Sequence, residues 1–506
     1  MVHEANIHIH HLTRVEGHGD ITAVIQDGEL KEVQFSVVEA PRFFEAFLRD
    51  RAYDEVAHLA SRICGICAVS HRAAALKAIE AAFDVKVSEQ TVLLRRLAFY
   101  GEILSSHVLH LYFLVAPDFL GVPSLLHLAE RERETIKRAM RLKRLAYDLC
   151  REVVGRHTHP VAMNAGGFPF VHDEAGLLRM KDRLIEAKED IRETVSLFRG
   201  LSLPSFERET EYVSLKHPSV YPFYGGDLFS SESGSLAPEA YREAVREYVQ
   251  PHSTAKYARW NRSAYMVGAL SRVNNNHGLL GPFAREAADR LGLEAPCHNP
   301  FMNNSAQVVE SALCVEEAVQ IIDRLLERGV RSEEELAPVH PCSGRGVGAV
   351  EAPRGTLFHE YAFDDQGRCL EANLVIPTAQ NLGNLEEDLR SYAPGLVDQE
   401  ESVIERALEV LVRAYDPCIS CSTHVVRLER DPSTHEQAGM KGGSTMKESR
   451  EPDEREERDA LCPECGHAFK AYVDRVVQDD KKSGMRQKIE CPVCGCGECS
   501  VVQPGT

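Results

Sequence analysis

Two closely spaced cysteine pairs near opposite ends of the chain place the strongest constraint on how it can fold. Each pair has the form Cys-x-x-Cys and is followed by a histidine: Cys64, Cys67 and His71, then Cys418, Cys421 and His424. Two intervening residues let both thiolates of a pair face one metal ion. If the pairs share a metal site, the fold must bring the two ends together. A structural four-cysteine zinc site has the same spacing, and a thioredoxin-type redox motif is a weaker alternative because no βαβ pattern surrounds either pair.

Charge and hydropathy argue against two classes of protein. The formal net charge is −19, with 58 Lys and Arg against 77 Asp and Glu, whereas nucleic-acid binding relies on clustered basic residues. No run approaches the ~20 apolar residues that span a bilayer, so we predict no transmembrane helix. The N-terminus lacks a basic region followed by an apolar stretch, which predicts a cytoplasmic protein. In that compartment, paired cysteines indicate metal or redox centres before disulfides.

The hydrophobic pattern predicts a mostly α fold with peripheral β structure (α+β). A β-hairpin is expected around Asp27-Gly28, a preferred turn sequence, and a long central helix from about Val87 to Val115, ended by Ala116-Pro117. The other expectations are helices at 174–200, 236–249, 314–329 and 397–414, irregular connections at 202–235 and 337–355, and a small β element from Cys369 to Pro377.

The composition divides the chain into a main body (1–424), a charged linker (425–460) and a cysteine-rich tail (461–506). Within the linker, residues 430–459 contain almost no large apolar side chains, so burial cannot offset their ordering entropy. The tail resembles a zinc ribbon, whose expected ligands are Cys462, Cys465, Cys491 and Cys494. A rubredoxin-like iron site would use the same four ligands.

The segments around the first two cysteine pairs resemble the two signatures of the large, catalytic subunit of nickel–iron hydrogenases. These segments are Arg62-Ile63-Cys64-Gly65-Ile66-Cys67 and Asp416-Pro417-Cys418-Ile419-Ser420-Cys421. Further motifs of this family occur in order along the chain: Thr13–His18, Arg42–Glu45, Ser105–His110, Gly155–Pro160, Glu351–Gly355 and Val375–Thr378. The resemblance implies a helical-bundle core and reversible heterolytic cleavage of H2 to protons and electrons.

The resemblance also implies the ligands of two metal sites. Cys64, Cys67, Cys418 and Cys421 would hold nickel, with Cys67 and Cys421 also bridging to an iron that carries carbon monoxide and cyanide. Soft thiolates suit nickel. A magnesium ion would be bound by the Glu45 carboxylate, the Leu374 carbonyl and His424; oxygen ligands suit such a hard cation.

Five further roles follow from the same resemblance. Cys418 would be the base that takes the proton of H2, and Glu16 the next proton carrier. Arg354 would lie over the open face of the metal pair, where its guanidinium stays charged. The remaining residues would surround the metal group: Pro353 and Thr378 would seat the diatomic ligands, and His71 would support a cysteine sulfur.

The sequence departs from the family pattern at two positions. Ser106 stands where some members have an aspartate, and Ile66 stands where many have the smaller valine. A bulkier residue between the cysteines predicts narrower gas access. The tail after His424 is also much longer than the short peptide that a protease usually removes from this family. We expect cleavage after His424, with a maturation endopeptidase and nickel-insertion proteins as partners.

The motifs look most like cytoplasmic members coupled to NAD(P), including the sulfhydrogenase type. Residues 1–424 contain no flavin, nicotinamide or iron–sulfur motif, so electrons would leave through an iron–sulfur small subunit to diaphorase-type NAD(P)-binding and iron–sulfur subunits. The deazaflavin-linked, viologen-reducing and membrane-bound branches are the alternatives. Other functions to weigh are a hydrogen-sensing regulatory subunit with little turnover, the quinone-reductase relative without nickel, and a zinc-ribbon nucleic-acid binder.

Overall fold

The computed structural model describes residues 4–27, 29–128, 132–334 and 336–423, together with three strands between residues 455 and 501. The chain forms two units, residues 1–428 and 429–506. His424 and the four tail cysteines expected to bind zinc lie outside the described residues. In the second unit, strands Arg455–Leu461, Ala468–Asp474 and Ser500–Val501 form an antiparallel sheet, and the first of them begins inside the segment expected to be a linker.

The first unit has a helical body. Its helices are α1 Phe44–Phe47, α2 Tyr53–Ala60, α3 Ala68–Ala82, α4 Glu89–Val108, α5 Ala116–Leu120, α6 Arg133–Val154, α7 Glu174–Arg199, α8 Tyr241–Ala244, α9 Ala269–Asn276, α10 Pro282–Leu291, α11 Asn303–Arg328, α12 Pro377–Tyr392, α13 Glu401–Ala414 and α14 Ile419–Ser422. A π-helical segment, Leu109–Val115, joins α4 to α5. Mixed helix and sheet structure is therefore confirmed.

Small sheets surround this body. Their strands are β1 Glu4–Ile9, β2 Gly19–Gln26, β3 Glu29–Val37, β4 Glu211–Lys216, β5 Asp227–Ser230, β6 Gly234–Leu236, β7 Arg246–Val249, β8 Lys256–Arg259, β9 Tyr265–Met266, β10 Gly344–Ala352, β11 Gly355–Phe363 and β12 Cys369–Val375. The sheet orders are β1-β2-β3, β6-β5-β4-β9, β7-β8 and β10-β11-β12, all antiparallel except the β4–β9 pair.

The expected hairpin forms between β2 and β3, and the expected small β element is β12. Three other expectations are wrong. Residues 236–249 do not form one long helix: a 3-10 turn at Pro238–Ala240 leads into the four-residue helix α8, and Arg246–Val249 then pairs with β8 as a strand. The segments expected to be irregular contain β4 and β5, which pair with each other, and β10, which pairs with β11 across a tight turn. The central helix does not end at Pro117, since proline is tolerated in the first turn of the following helix α5.

The segment Glu89–Leu120 has the length and composition of a membrane-crossing helix, which we expected no segment to have. However, 72% of its apolar window is buried inside the protein. Many of its side chains are fully enclosed, among them Leu94, Leu97 and Ile103. This is the environment of a core helix, and a core helix meets the same compositional criteria.

The glycine-rich run at 344–348 lets a helix lie directly on a strand. A Cβ atom on Gly344, Gly346 or Gly348 would lie 2.3, 2.1 or 2.0 Å from the carbonyl oxygen of Ala82, Ala78 or Ala74. Every second residue of β10 thus faces every fourth residue of α3, because side chains on one face repeat every two residues in a strand and about every 3.6 residues in a helix. Only glycine permits this separation, and the contact positions the start of α3, immediately after Cys67.

Candidate metal centre

The fold brings the two cysteine pairs into one buried cluster. Cys64 and Cys67 lie in the loop between α2 and α3, and Cys418 and Cys421 lie at the short helix α14. All four sulfur atoms are within 4.8 Å of one another. The Sγ–Sγ distances are 3.6 Å for Cys64 and Cys418, 4.0 Å for Cys67 and Cys421, and 2.8 Å for Cys418 and Cys421. This is the only such metal-competent group of histidine, cysteine and acidic side chains within the described part of the chain.

The electrostatics of this cluster favour a bound cation. Hydrogen bonds from Cys418 and Cys421 lower the pKa of Cys64 well below its ordinary value. Hydrogen bonding to Cys421 and Cys64 raises the pKa of Cys418 well above it. Without a cation, the buried sulfurs therefore share protons and do not all ionise. A soft metal with positive charge would let all four act as thiolates, so the donor set fits the metal group expected from the sequence.

Backbone donors support the first pair. Cys64 Sγ accepts hydrogen bonds from the N–H groups of Ile66 and Cys67, each at 3.2 Å. The start of α3 is held by the buried Glu102 carboxyl group, which accepts from the N–H groups of Val69 (2.6 Å) and Ser70 (3.0 Å). Burial raises the pKa of Glu102 to about 8. No pattern in the sequence identifies Glu102; its role follows from the packing of α4 against α3.

Contacts from distant segments support the second pair. The Cys418 N–H donates to Thr378 Oγ1 at 2.9 Å, and the Ile419 N–H donates to the Glu16 carbonyl at 2.9 Å. The Glu16 carboxylate accepts from the Ser420 N–H at 3.2 Å and pairs with the Ser420 hydroxyl. Glu16 and Thr378, both singled out from the sequence, therefore lie at the second cysteine pair.

Arg354 lies beside the cluster and is held by Asp416, a motif residue to which no role was assigned from the sequence. Its Nε and Nη2 donate to the carbonyl and carboxylate oxygens of Asp416, at 2.7 and 2.8 Å. Burial alone would lower the pKa of Arg354, but Asp416 and the cysteines raise it well above its ordinary value. Its Nη1 is buried without a hydrogen-bond partner among the described residues, so one N–H group remains for a ligand.

Two further buried groups hold this arginine segment and were missed. The Pro353 carbonyl accepts from Arg272 Nη2 at 2.9 Å, and Arg272 is itself paired with Glu310. On the other side, Gln307 Nε2 donates to Asp416 Oδ2 at 3.0 Å. The signal in the sequence was that Glu310 is the single charged residue in the first half of α11, residues 303–315.

The expected magnesium ligands are only partly within the described residues. Glu45 Oε1 accepts the N–H of Leu374 at 2.9 Å, so the structure brings these two residues together. His424 lies outside the described residues. His71 is fully buried, and its Nδ1 is 3.0 Å from Nε2 of His359 instead of donating to a cysteine sulfur. Burial lowers the pKa of His71 to about 4, which keeps its ring neutral.

Comparison with known proteins agrees with this site. The profile of the nickel-dependent hydrogenase family matches residues 42–149 and 227–424, and a profile described as HoxL-like matches residues 6–40. The chain therefore belongs to the nickel-dependent hydrogenase family, and the resemblance identified from its motifs is confirmed. It is the large, catalytic subunit of a nickel–iron hydrogenase, an oxidoreductase that acts on H2.

Within the family, the chain is similar to sulfhydrogenase 1 subunit alpha of Pyrococcus furiosus, with 35% identity over 83% of this chain and 98% of the relative. It is 28% identical to the NAD-reducing hydrogenase HoxS subunit beta of Cupriavidus necator, over 82% of this chain and 94% of the relative. Among solved structures, an NAD+-reducing [NiFe]-hydrogenase in the H2-reduced state superposes with a TM-score of 0.75 at 28% identity, covering 83% and 99% of the two chains.

Proposed function

We propose that this subunit belongs to a cytoplasmic hydrogenase that exchanges electrons with NAD(P) through an iron–sulfur small subunit and diaphorase-type subunits. The support is the similarity to subunits of sulfhydrogenases and NAD-reducing hydrogenases. A further support is that residues 1–424 carry no cofactor motif for passing electrons onward.

The single observation that carries the catalytic proposal is the convergence of four buried sulfurs within 4.8 Å. Cys64, Cys67, Cys418 and Cys421 would hold nickel, and Cys67 and Cys421 would share the iron with its carbon monoxide and cyanide ligands. The bound metal pair supplies the Lewis-acid and redox chemistry that splits H2. The chain supplies the ligands, a dry site and groups that move protons.

Cys418 and Glu16 would transfer the proton. The Glu16 backbone runs beside Cys418, and its carboxylate hydrogen-bonds Ser420, in the segment between Cys418 and Cys421. In the proposed oxidation reaction, the Cys418 sulfur takes the proton of H2 and passes it to the Glu16 carboxylate. The reverse order serves H2 formation.

Arg354 would orient the reacting side of the site. Asp416 holds the guanidinium through two hydrogen bonds, and the buried Nη1 is available to a ligand. Pro353 and Thr378 would border the diatomic ligands. The Thr378 oxygen already accepts the Cys418 N–H, which leaves the hydroxyl hydrogen to donate.

The remaining parts of the proposal concern structure and maturation. Glu45, the Leu374 carbonyl and His424 would bind magnesium, while Cys462, Cys465, Cys491 and Cys494 would bind zinc in the tail. Nickel-insertion proteins would act first, and an endopeptidase would then cleave after His424. In this proposal residues 1–424 form the catalytic domain, residues 425–460 are a linker, and residues 461–506 are the tail, which is removed together with the linker.

One experiment tests the site and the processing together. Metal analysis, intact mass and H2-dependent dye reduction are measured on the purified complex for the wild type, Cys418→Ser and the control Cys314→Ser. Cys314 is equally buried but lies outside the cluster. We expect Cys418→Ser to abolish dye reduction and Cys314→Ser to retain it.

Wild-type turnover in Cys418→Ser contradicts the proposed site, and a fully active subunit still ending at Thr506 contradicts the processing. Negligible wild-type turnover with H2-dependent complex formation identifies a sensor instead.

A further inference from the structure

Glu39, just after β3, has two oxygens in very different surroundings. Its Oε1 lies 3.0 Å from Nδ1 of His18, whose side chain is 61% exposed. Its Oε2 is buried and has no hydrogen-bond partner among the described residues. A buried carboxylate oxygen without a partner costs free energy, and such a group in a native structure calls for an explanation.

The unpartnered oxygen of Glu39 faces the second cysteine segment. Gly17 has a φ of +86°, and a Cβ built on it would lie 2.8 Å from the Ser420 nitrogen and 3.0 Å from Glu39 Oε2. Both atoms therefore border the same small space beside Gly17. The Ser420 N–H donates to the Glu16 carboxylate, and the Ser420 hydroxyl pairs with it. The Ser420 nitrogen that holds the Glu16 carboxylate and the free oxygen of Glu39 therefore lie on opposite sides of one small space.

The other end of the chain of contacts opens to solvent. His18 also makes an edge-to-face contact with the ring of His11, with centroids 5.6 Å apart. An exposed imidazole is suited to exchanging protons with water, because either of its ring nitrogens can carry the proton. Glu39 therefore lies between the half-buried Glu16 and the surface residue His18.

We propose that Glu39 and His18 carry protons between Glu16 and solvent. During H2 oxidation, the proton leaves the Glu16 carboxyl group for Glu39 Oε2, directly or through one water molecule beside Gly17. The Glu39 carboxyl group then turns so that this proton faces His18 Nδ1 and passes to it, and the resulting imidazolium releases its Nε2 proton to water. Each group gains one proton and loses one, and H2 formation uses the reverse order. This inference rests on the proposed role of Glu16.

The competing route is a direct exit from Glu16, which is itself half-buried. The two routes differ in whether Glu39 is needed. A relay through Glu39 predicts that proton exchange depends on both Glu39 and His18. A direct exit predicts dependence on Glu16 alone.

The test uses the assembled, metal-loaded complex at low buffer concentration. Isotope exchange between D2 and water is measured for the wild type, Glu16→Gln, Glu39→Gln, Glu39→Asp, His18→Ala and the control His10→Ala. His10 is another exposed histidine with a carboxylate partner, but that partner is Asp20 at 3.3 Å. Metal content is measured for every variant, so that a failure to assemble is recognised.

We expect Glu39→Gln to slow exchange about 100-fold, the low end for loss of a proton-transfer group. Glu39→Asp should recover part of the rate. His18→Ala should slow exchange and be rescued by added imidazole, which does not rescue Glu39→Gln. His10→Ala should match the wild type.

A second readout does not depend on turnover. Diethyl pyrocarbonate acylates a ring nitrogen whose lone pair is accessible, so peptide mass spectrometry reports whether Glu39 occupies the His18 ring nitrogen that it contacts. We expect Glu39→Gln to accelerate labelling of His18 and leave His10 unchanged. Normal exchange in Glu39→Gln beside slow exchange in Glu16→Gln would overturn the relay and leave the proposed function standing. Normal exchange in both overturns the role of Glu16 as well.

Discussion

The two cysteine pairs reach the same cluster from structurally different supports. Cys64 and Cys67 precede α3, a 15-residue buried helix lying on β10. Cys418 and Cys421 lie at α14, a helix of only four residues. The first pair is therefore positioned by an extended packed interface, and the second by single hydrogen bonds from other parts of the chain.

Arg42 connects the two supports. Its Nη1 donates to the Ile63 carbonyl at 2.6 Å and lies 3.5 Å from the Ser420 carbonyl, and its own N–H donates to Thr423. The difference between the pairs suits a site that must accept metals. A rigid half can define the geometry, while a half held by few contacts can open before the metals arrive and close afterwards.

The largest expected effect comes from separating α3 and β10. Gly348→Ala places a Cβ about 2.0 Å from the Ala74 carbonyl oxygen. Because backbone atoms on both sides cannot rotate away, we expect a loss of about 3 kcal/mol or more in the free energy of unfolding, with loss of nickel. Urea unfolding and metal analysis measure both. Gly395→Ala is the control, since nothing lies within 4 Å of its Cβ position. Equal stability of the two variants contradicts the role of the helix–strand contact.

The stability of the α3 segment that supports the first cysteine pair should depend on pH through Glu102. Burial raises the pKa of Glu102 to about 8, above its usual value of 4.5. The folded protein thus holds a proton that the unfolded chain releases, so this contribution is complete below pH 4.5 and is lost as pH rises towards 8. Its slope is about 1.4 kcal/mol per pH unit. We expect urea unfolding between pH 5.5 and 7.5 to show a shallower decline in Glu102→Gln. An unchanged slope means that Glu102 is ionised throughout.

Thr378→Val tests whether the second cysteine pair depends on a single hydrogen bond. It removes the acceptor of the Cys418 N–H and leaves a buried donor unsatisfied, at a cost of about 1–3 kcal/mol. Because this half has few contacts, we expect faster nickel loss to a chelator at nearly unchanged global unfolding. Thr22→Val, on the sheet β1-β2-β3, is the matched control. Nickel retention equal to that of the control would show that the second pair does not depend on this bond.

The smallest effect is expected at Ile66, which is half-buried between the cysteines of the first pair. Ile66→Val removes one methylene group and leaves both cysteines in place. We expect carbon monoxide to inhibit hydrogen oxidation faster, by a factor of a few, because a smaller side chain widens gas access. Inhibition kinetics on the two proteins measure this. Identical kinetics remove Ile66 from the access route.

Local patterns predicted those elements whose stability is local. The β2–β3 hairpin, α7 and most of α13 follow from turn residues and apolar periodicity. The strand β10 was expected to be irregular, because its alternating glycines are typical of a loop. Those glycines are required by α3, which is far away in sequence, so no local pattern could identify the strand.

The motifs were sufficient to identify the family, and the resemblance singled out the four cysteines, Glu16 and Arg354 as candidates for the site. The partners that hold these residues could not be predicted from sequence motifs. Asp416, Glu102 and Arg42 act through hydrogen bonds to segments distant in the chain. Ligand chemistry is a property of side chains and their spacing, and it can be seen along a sequence. Orientation, burial and proton affinity depend on which distant groups are packed together, and these arise only when the chain has folded.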